Sequence, residues 1–175
     1  MPDTTLSQAL REAYASAPSN VTIYHTLELR HPAFSSPIRV VRDNVNLLAR
    51  LETSAPANPS EQVEFIAFAF DFNKPDVSAT GVPQIQLEID NVDRAIVANI
   101  EAAMASTELV KLTYREYIST DLTAPQNDPP VHMTILTISA DVFRVRCTAG
   151  FANLVNYRFP RTEYDADVFP GLVAS

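Results

Sequence analysis

The hydrophobic and polar positions of this chain change period several times along its length. In "TLSQALREAYASAP", Leu6, Leu10, Ala13 and Tyr14 share one face of a 3.6-residue repeat, and Thr5 with Gln8 fits a capping box. Pro18 closes the segment, so the spacing predicts a short amphipathic helix. "NVTIYHTLELRHP" then alternates. Val21, Ile23, His25, Leu27 and Leu29 fall on one side; Thr22, Tyr24, Thr26, Glu28 and Arg30 fall on the other. That is the pattern of a half-buried strand. "PIRVVRD" and "VNLLARLE" are weaker strand candidates, and the second also fits a helix.

"QVEFIAFAFDF" is the most apolar segment, with Ile66, Phe68, Phe70 and Phe72 on one face and Val63, Phe65, Ala67 and Ala69 on the other. Apolar residues on both faces predict a strand covered on both sides. "QIQLEID" alternates cleanly, with Ile85, Leu87 and Ile89 inward. Asn91 then caps a predicted helix, "VDRAIVANIEAAMAS", with Ile96, Val97, Ile100 and Met104 as its apolar stripe. "ELVKLTYREYI" returns to alternation, and "VHMTILTIS" with "DVFRVRCTAG" reads as two strands in a hairpin-like return. Two long polar loops, "NKPDVSATGVP" and "STDLTAPQNDPP", separate these runs, and loops of that length are often functional or interface-forming. The predicted class is α+β and β-dominated. Mostly antiparallel sandwich-like or barrel-like sheets carry an N-terminal helix and one helix inserted between strands. The 175 residues suit one unit, with two small sheets around 20–72 and 84–150 as a possible subdivision.

The totals narrow the chemistry. A net charge of −8 argues against a nucleic-acid-binding surface, because neutralising phosphate requires a basic face. Thirteen prolines against three glycines suggest stiff, extended connections, and so few glycines leave no backbone cradle for phosphate. Cys147 is the only cysteine, which excludes an intrachain disulfide and a cysteine cluster, and its strand setting predicts a buried, inert thiol. His25, His31 and His132 are scattered and sit near no carboxylate in a ligand-like spacing. No nucleophile elbow, zinc-protease helix or phosphate loop is present in the sequence. The expectation is therefore no catalytic residue, no cofactor and no metal. With acids and no apolar core, the N-terminus is expected to be no secretory signal; no apolar run is long enough for a membrane span. The expected site of synthesis is the cytoplasm.

Features of an interaction protein stand out more. "TYREYIS" places Tyr114 on one face of a strand and Tyr117 on the other, with Arg115 between them, and tyrosine and arginine are enriched at protein interfaces. The closing "RFPRTEYDADVFPGL" carries Phe159, Tyr164 and Phe169 beside two Phe-Pro pairs, a poor helix and a poor central strand. A C-terminal arm over 158–175, packing across its own domain or onto a neighbour, is the expectation. Tyr114, Arg115, Tyr117, Phe159, Tyr164 and Phe169 are the candidate interface residues.

Taken together, "LSQALREAYASAP", "YHTLELRHPAF", "IRVVRD", "FIAFAFDF", "QLEIDNV", "LTYREYIS", "SADVFRVRCTAGFANLVNYRFP" and "VFPGL" resemble a phage-encoded family catalogued as a domain of unknown function, the one numbered 1833. The resemblance covers nearly the whole chain, and its members occur among tail genes of long, flexible, non-contractile-tailed phages. At the level of pattern the chain is also similar to the N-terminal part of the lambda-type minor tail protein L family. That second resemblance implies a tail-tip hub: a homo-oligomeric ring, three copies favoured and six second, joining the tail tube to the central spike. Its partners would be the distal tail protein, the spike and the tape measure, with DNA only in transit past an acidic wall, and its location the virion. The iron–sulfur cluster of those relatives needs cysteines that this chain lacks. A distal tail ring protein, an assembly factor left out of the virion and a cell-wall hydrolase are the competing readings.

Overall fold

The computed structural model describes residues 6–16, 18, 20–72, 84–90, 99, 102–103, 106, 108–140 and 144–151. Helix α1 (Gln8–Ser16) opens the described chain. Its N-cap is Ser7 rather than the expected Thr5, because the Ser7 hydroxyl accepts the Leu10 backbone N–H at 3.1 Å. Leu10 and Ala13 are buried as the period predicts, while Tyr14 is 43% exposed.

Strands follow at Ile23–Arg30 (β1), Ile38–Val41 (β2), Leu47–Arg50 (β3), Gln62–Ala67 (β4), Phe70–Phe72 (β5), Gln84–Asp90 (β6), Lys111–Ile118 (β7), Val131–Ala140 (β8) and Arg144–Gly150 (β9). They form one nine-stranded sheet in the order β3-β4-β2-β1-β7-β8-β9-β6-β5. All its pairings are antiparallel except β2 with β4. The class is α+β and β-dominated, as the alternation predicts. The two halves of the chain do not keep separate sheets, however. β1 pairs with β7 along its whole length, from Ile23 opposite Ile118 to Arg30 opposite Lys111. The expected division near 20–72 and 84–150 therefore cuts through the central strand pair.

The sheet is strongly curled. β2 and β5 stand six places apart in the strand order, which in a flat sheet is roughly 29 Å at the usual inter-strand spacing. Yet Arg42, just past β2, lies 3.8 Å from Asp71 of β5. Only curling brings these ends together. The main core fills the inside of the curl with Leu27, Leu29, Val40, Phe70, Ile85, Leu87, Leu112, Tyr114, Met133, Ile135, Cys147 and Ala149.

A second core lies on the outer face. The β3–β4 hairpin folds over β1, β2 and β7, so that Leu47, Ala49, Val63 and Phe65 pack on Val41 and Tyr117. This explains two departures from the sequence reading. β1 is covered on both sides rather than half-buried: Thr26 and Glu28 are 0% exposed, like Leu27. "QVEFIAFAFDF" is not one doubly covered strand but two strands, because the chain leaves one layer at Ala67 and enters the other at Phe70. Ile66, expected inside, is 48% exposed. The β3 segment, ambiguous in sequence, is a strand, and β8–β9 form the expected hairpin. Of the second predicted helix only Asn99, Ala102, Ala103 and Ser106 are described, with Ala103 in the main core; most of it lies outside the described residues.

Candidate functional site

The polar groups of β1 and β7 collect into two clusters, one on each face of the central pair. On the outer face Arg115 is fully buried beneath the β3–β4 hairpin and its loop. Its Nε and Nη2 donate to Glu52 at 2.7 and 2.8 Å, a bidentate pair, and its Nη1 lies 3.6 Å from Glu28. Glu28, also fully buried, takes Arg39 Nε at 2.8 Å and stands 3.1 Å from Arg30 Nε. One carboxylate thus faces three guanidiniums. Arg39 donates further to the Asn58 side chain at 2.8 Å. Asn58 sits at φ 55, a left-handed backbone that asparagine tolerates better than most residues.

The electrostatics follow from this geometry. Burial alone would raise the Glu52 carboxyl, but the hydrogen bonds and charge of Arg115 win and hold it below the usual carboxylate range. Burial would lower Arg115, and Glu52 with Glu28 more than offsets that, so the guanidinium stays charged. His132 titrates below the ordinary histidine value, first from burial and then from the charge of Arg115.

On the inner face, at the end of the curl nearest α1, the Tyr114 hydroxyl donates to Glu116 Oε1, and the Tyr14 hydroxyl donates to the same oxygen at 2.9 Å. His25 Nδ1 lies 2.8 Å from the Tyr114 hydroxyl and stacks near-parallel on its ring. With the tyrosine proton directed at Glu116, the histidine N–H donates to Tyr114. Burial, then the Glu116 charge, raises the Tyr114 hydroxyl far above its ordinary value, so it stays protonated. The cluster is a hydrogen-bonded clasp that fastens α1 to the sheet. Burial likewise pushes the Cys147 thiol up to about 12, which leaves it without thiolate character. The buried His31 accepts the Ala33 N–H at Nδ1 and holds the Glu108 carbonyl with Nε2 at 3.1 Å.

The expected interface residues are therefore placed unevenly. Tyr114, Arg115 and Tyr117 are internal, at 3%, 0% and 0% exposure, and present no surface to a partner. Their residue types suggested a surface, but Tyr114 faces the main core, and the hairpin that covers Arg115 and Tyr117 comes from a distant part of the sequence. Tyr117 bonds the Arg50 carbonyl at 3.0 Å, and burial raises its hydroxyl. Phe159, Tyr164 and Phe169 lie outside the described residues. Sequence reasoning passed over Glu28, Glu52 and Glu116. Their signal was an acid inside an alternating or apolar-flanked run, where burial demands a cationic or hydrogen-bonding partner.

The "STDLTAPQNDPP" loop has a structural task. β8 pairs with β7 only from Lys111 to Tyr114, and beyond that point the loop takes its place. The Gln126 N–H bonds the Glu116 carbonyl at 2.7 Å, and Asn127 Oδ1 accepts the Glu116 N–H at 2.9 Å.

A few large apolar side chains stand exposed on the otherwise polar described surface. Val45, Leu48 and Ile66 are 71%, 56% and 48% exposed, and the last two share the outer face of the β3–β4 hairpin. No group of three or more metal-ligating side chains converges among the described residues, and no described helix is long and apolar enough to cross a membrane.

The chain belongs to the family described as Domain of unknown function (DUF1833), whose family model matches residues 9–164. No curated protein matches it.

Proposed function

We propose that this member of the DUF1833 family is a structural component of a siphophage tail tip that acts by assembly rather than catalysis. It would form a hub ring joining the tail tube to the central spike around the DNA channel, with three copies favoured over six. One observation carries the reading. Among the described residues Arg115, Glu28, Tyr114 and Cys147 are tied up inside the fold, whereas Leu48 and Ile66 stand exposed on the β3–β4 hairpin. Exposed apolar clusters mark surfaces that are covered in an assembly.

A further feature supports the proposal. The net charge of −8 suits a channel wall, because a negative lining repels phosphate and lets DNA slide. Quantitative mass spectrometry of purified particles tests the function directly. The expected result is a few copies per virion. Absence from particles whose assembly still depends on the protein would make it an assembly factor, and a clearing band on a peptidoglycan zymogram would make it an enzyme.

A further inference from the structure

Arg30 and Lys111 stand directly opposite each other in the β1–β7 pair. Like charges in that position repel, so the placement needs an anion nearby. Glu28 supplies part of one, but it is shared with Arg39 and Arg115, and Arg30 Nε has no hydrogen-bond partner despite its burial. Among the described residues Lys111 donates to the Thr134 hydroxyl, at 3.3 Å. Both cations border an open cavity of about 380 Å³ between the β1–β2 turn and the residues entering β7. Among the described residues Glu108 is the acid on its wall, and Phe34 and Leu109 supply apolar surface, with Leu109 51% exposed. In a chain of net charge −8 this is a local excess of positive charge beside an apolar shelf.

The chain carries a matching segment. In "EYDADV", Glu163, Asp165 and Asp167 alternate with Tyr164, Ala166 and Val168. In an extended backbone alternate side chains share a face, so such a segment offers acids on one side and apolar groups on the other. We propose that this cavity receives segment 163–169 of a second copy of the chain, with its carboxylates on Arg30 and Lys111 and its apolar side on Leu109 and Phe34. The inference deepens the proposed function, and rests on it only in requiring that copies meet.

Lys111 is one of two lysines, the other being Lys74, which makes a zero-length carbodiimide cross-link selective. Full-length ¹⁴N and ¹⁵N chains would be mixed, cross-linked and mapped by mass spectrometry. The expected products join Lys111 of one isotope to Glu163, Asp165 or Asp167 of the other. Lys111→Glu and 0.5 M salt are each expected to weaken self-association about tenfold in sedimentation, since exposed ion pairs steer such contacts and are screened by salt. Links confined to one isotope, links of Lys111 only to other acids, or unchanged association of Lys111→Glu would each overturn the proposal. Particles that contain the protein without this cross-link would refute the docking and leave the tail role standing. The cross-link in a protein missing from particles would do the reverse.

Discussion

Removing the Arg115 guanidinium would leave Glu28 and Glu52 facing each other beneath the β3–β4 hairpin without a shared cation. Arg115→Met should therefore cost about 3–5 kcal/mol in denaturant unfolding, the range for breaking a buried ion pair from one side. Acidity tests the same cluster from the other side. The Glu52 carboxyl titrates lower in the folded chain than unfolded, so its contribution is full above the unfolded value of about 4.3. It is lost as pH falls through the folded value. Stability should drop on acidification below about pH 4.5, and Glu52→Gln should lower stability at neutral pH while flattening that drop. A pH series of unfolding midpoints for both proteins measures it. At this scale the sequence was half legible. Tyr114, Arg115 and Tyr117 stood out by type but are buried: Tyr114 faces the main core, and no local pattern announces the cover that residues 47–67 supply over Arg115 and Tyr117.

Elements were more legible than residues, since strand period is a local property. β1, β6, β8 and β9 form where the alternation predicts strands. The apolar run at 62–72 misled because two short strands on different layers sum to one long hydrophobic stretch. The distinction has a measurable consequence. Phe65→Ala, at a fully buried site in the second core, should cost about 3–5 kcal/mol, whereas Phe68→Ala, only partly buried at the crossing, should cost clearly less. Paired denaturation curves would separate them, and equal costs would restore the single central strand. The loop after β7 makes a similar point. Asn127 is 3% exposed and satisfies the Glu116 N–H and the Tyr114 carbonyl, so Asn127→Ala should cost about 1–3 kcal/mol by leaving buried backbone unpaired. An exposed polar loop with only an interface role would show almost no loss.

For the whole molecule, the decisive truncation removes 158–175. Under the proposed function the shortened chain stays folded by circular dichroism and loses self-association on sizing; loss of the fold would show that the segment completes its own domain. The curled shape itself was not legible in sequence, because it depends on which strands meet rather than on where strands occur. Its central pair joins Ile23 to Ile118, so nearly the whole intervening chain must be gathered before the first of those contacts forms. Such closure is entropically costly and yields its contacts late, which places folding in the millisecond-to-second range rather than microseconds. The β3–β4 hairpin, by contrast, pairs residues close in sequence and can form early, with its apolar inner face still open. During synthesis the protein would then pass through a period in which Val63 and Phe65 await a surface that β7 has yet to provide. Yield at high temperature would accordingly be limited by how fast β1 finds β7, not by how stable the finished protein is.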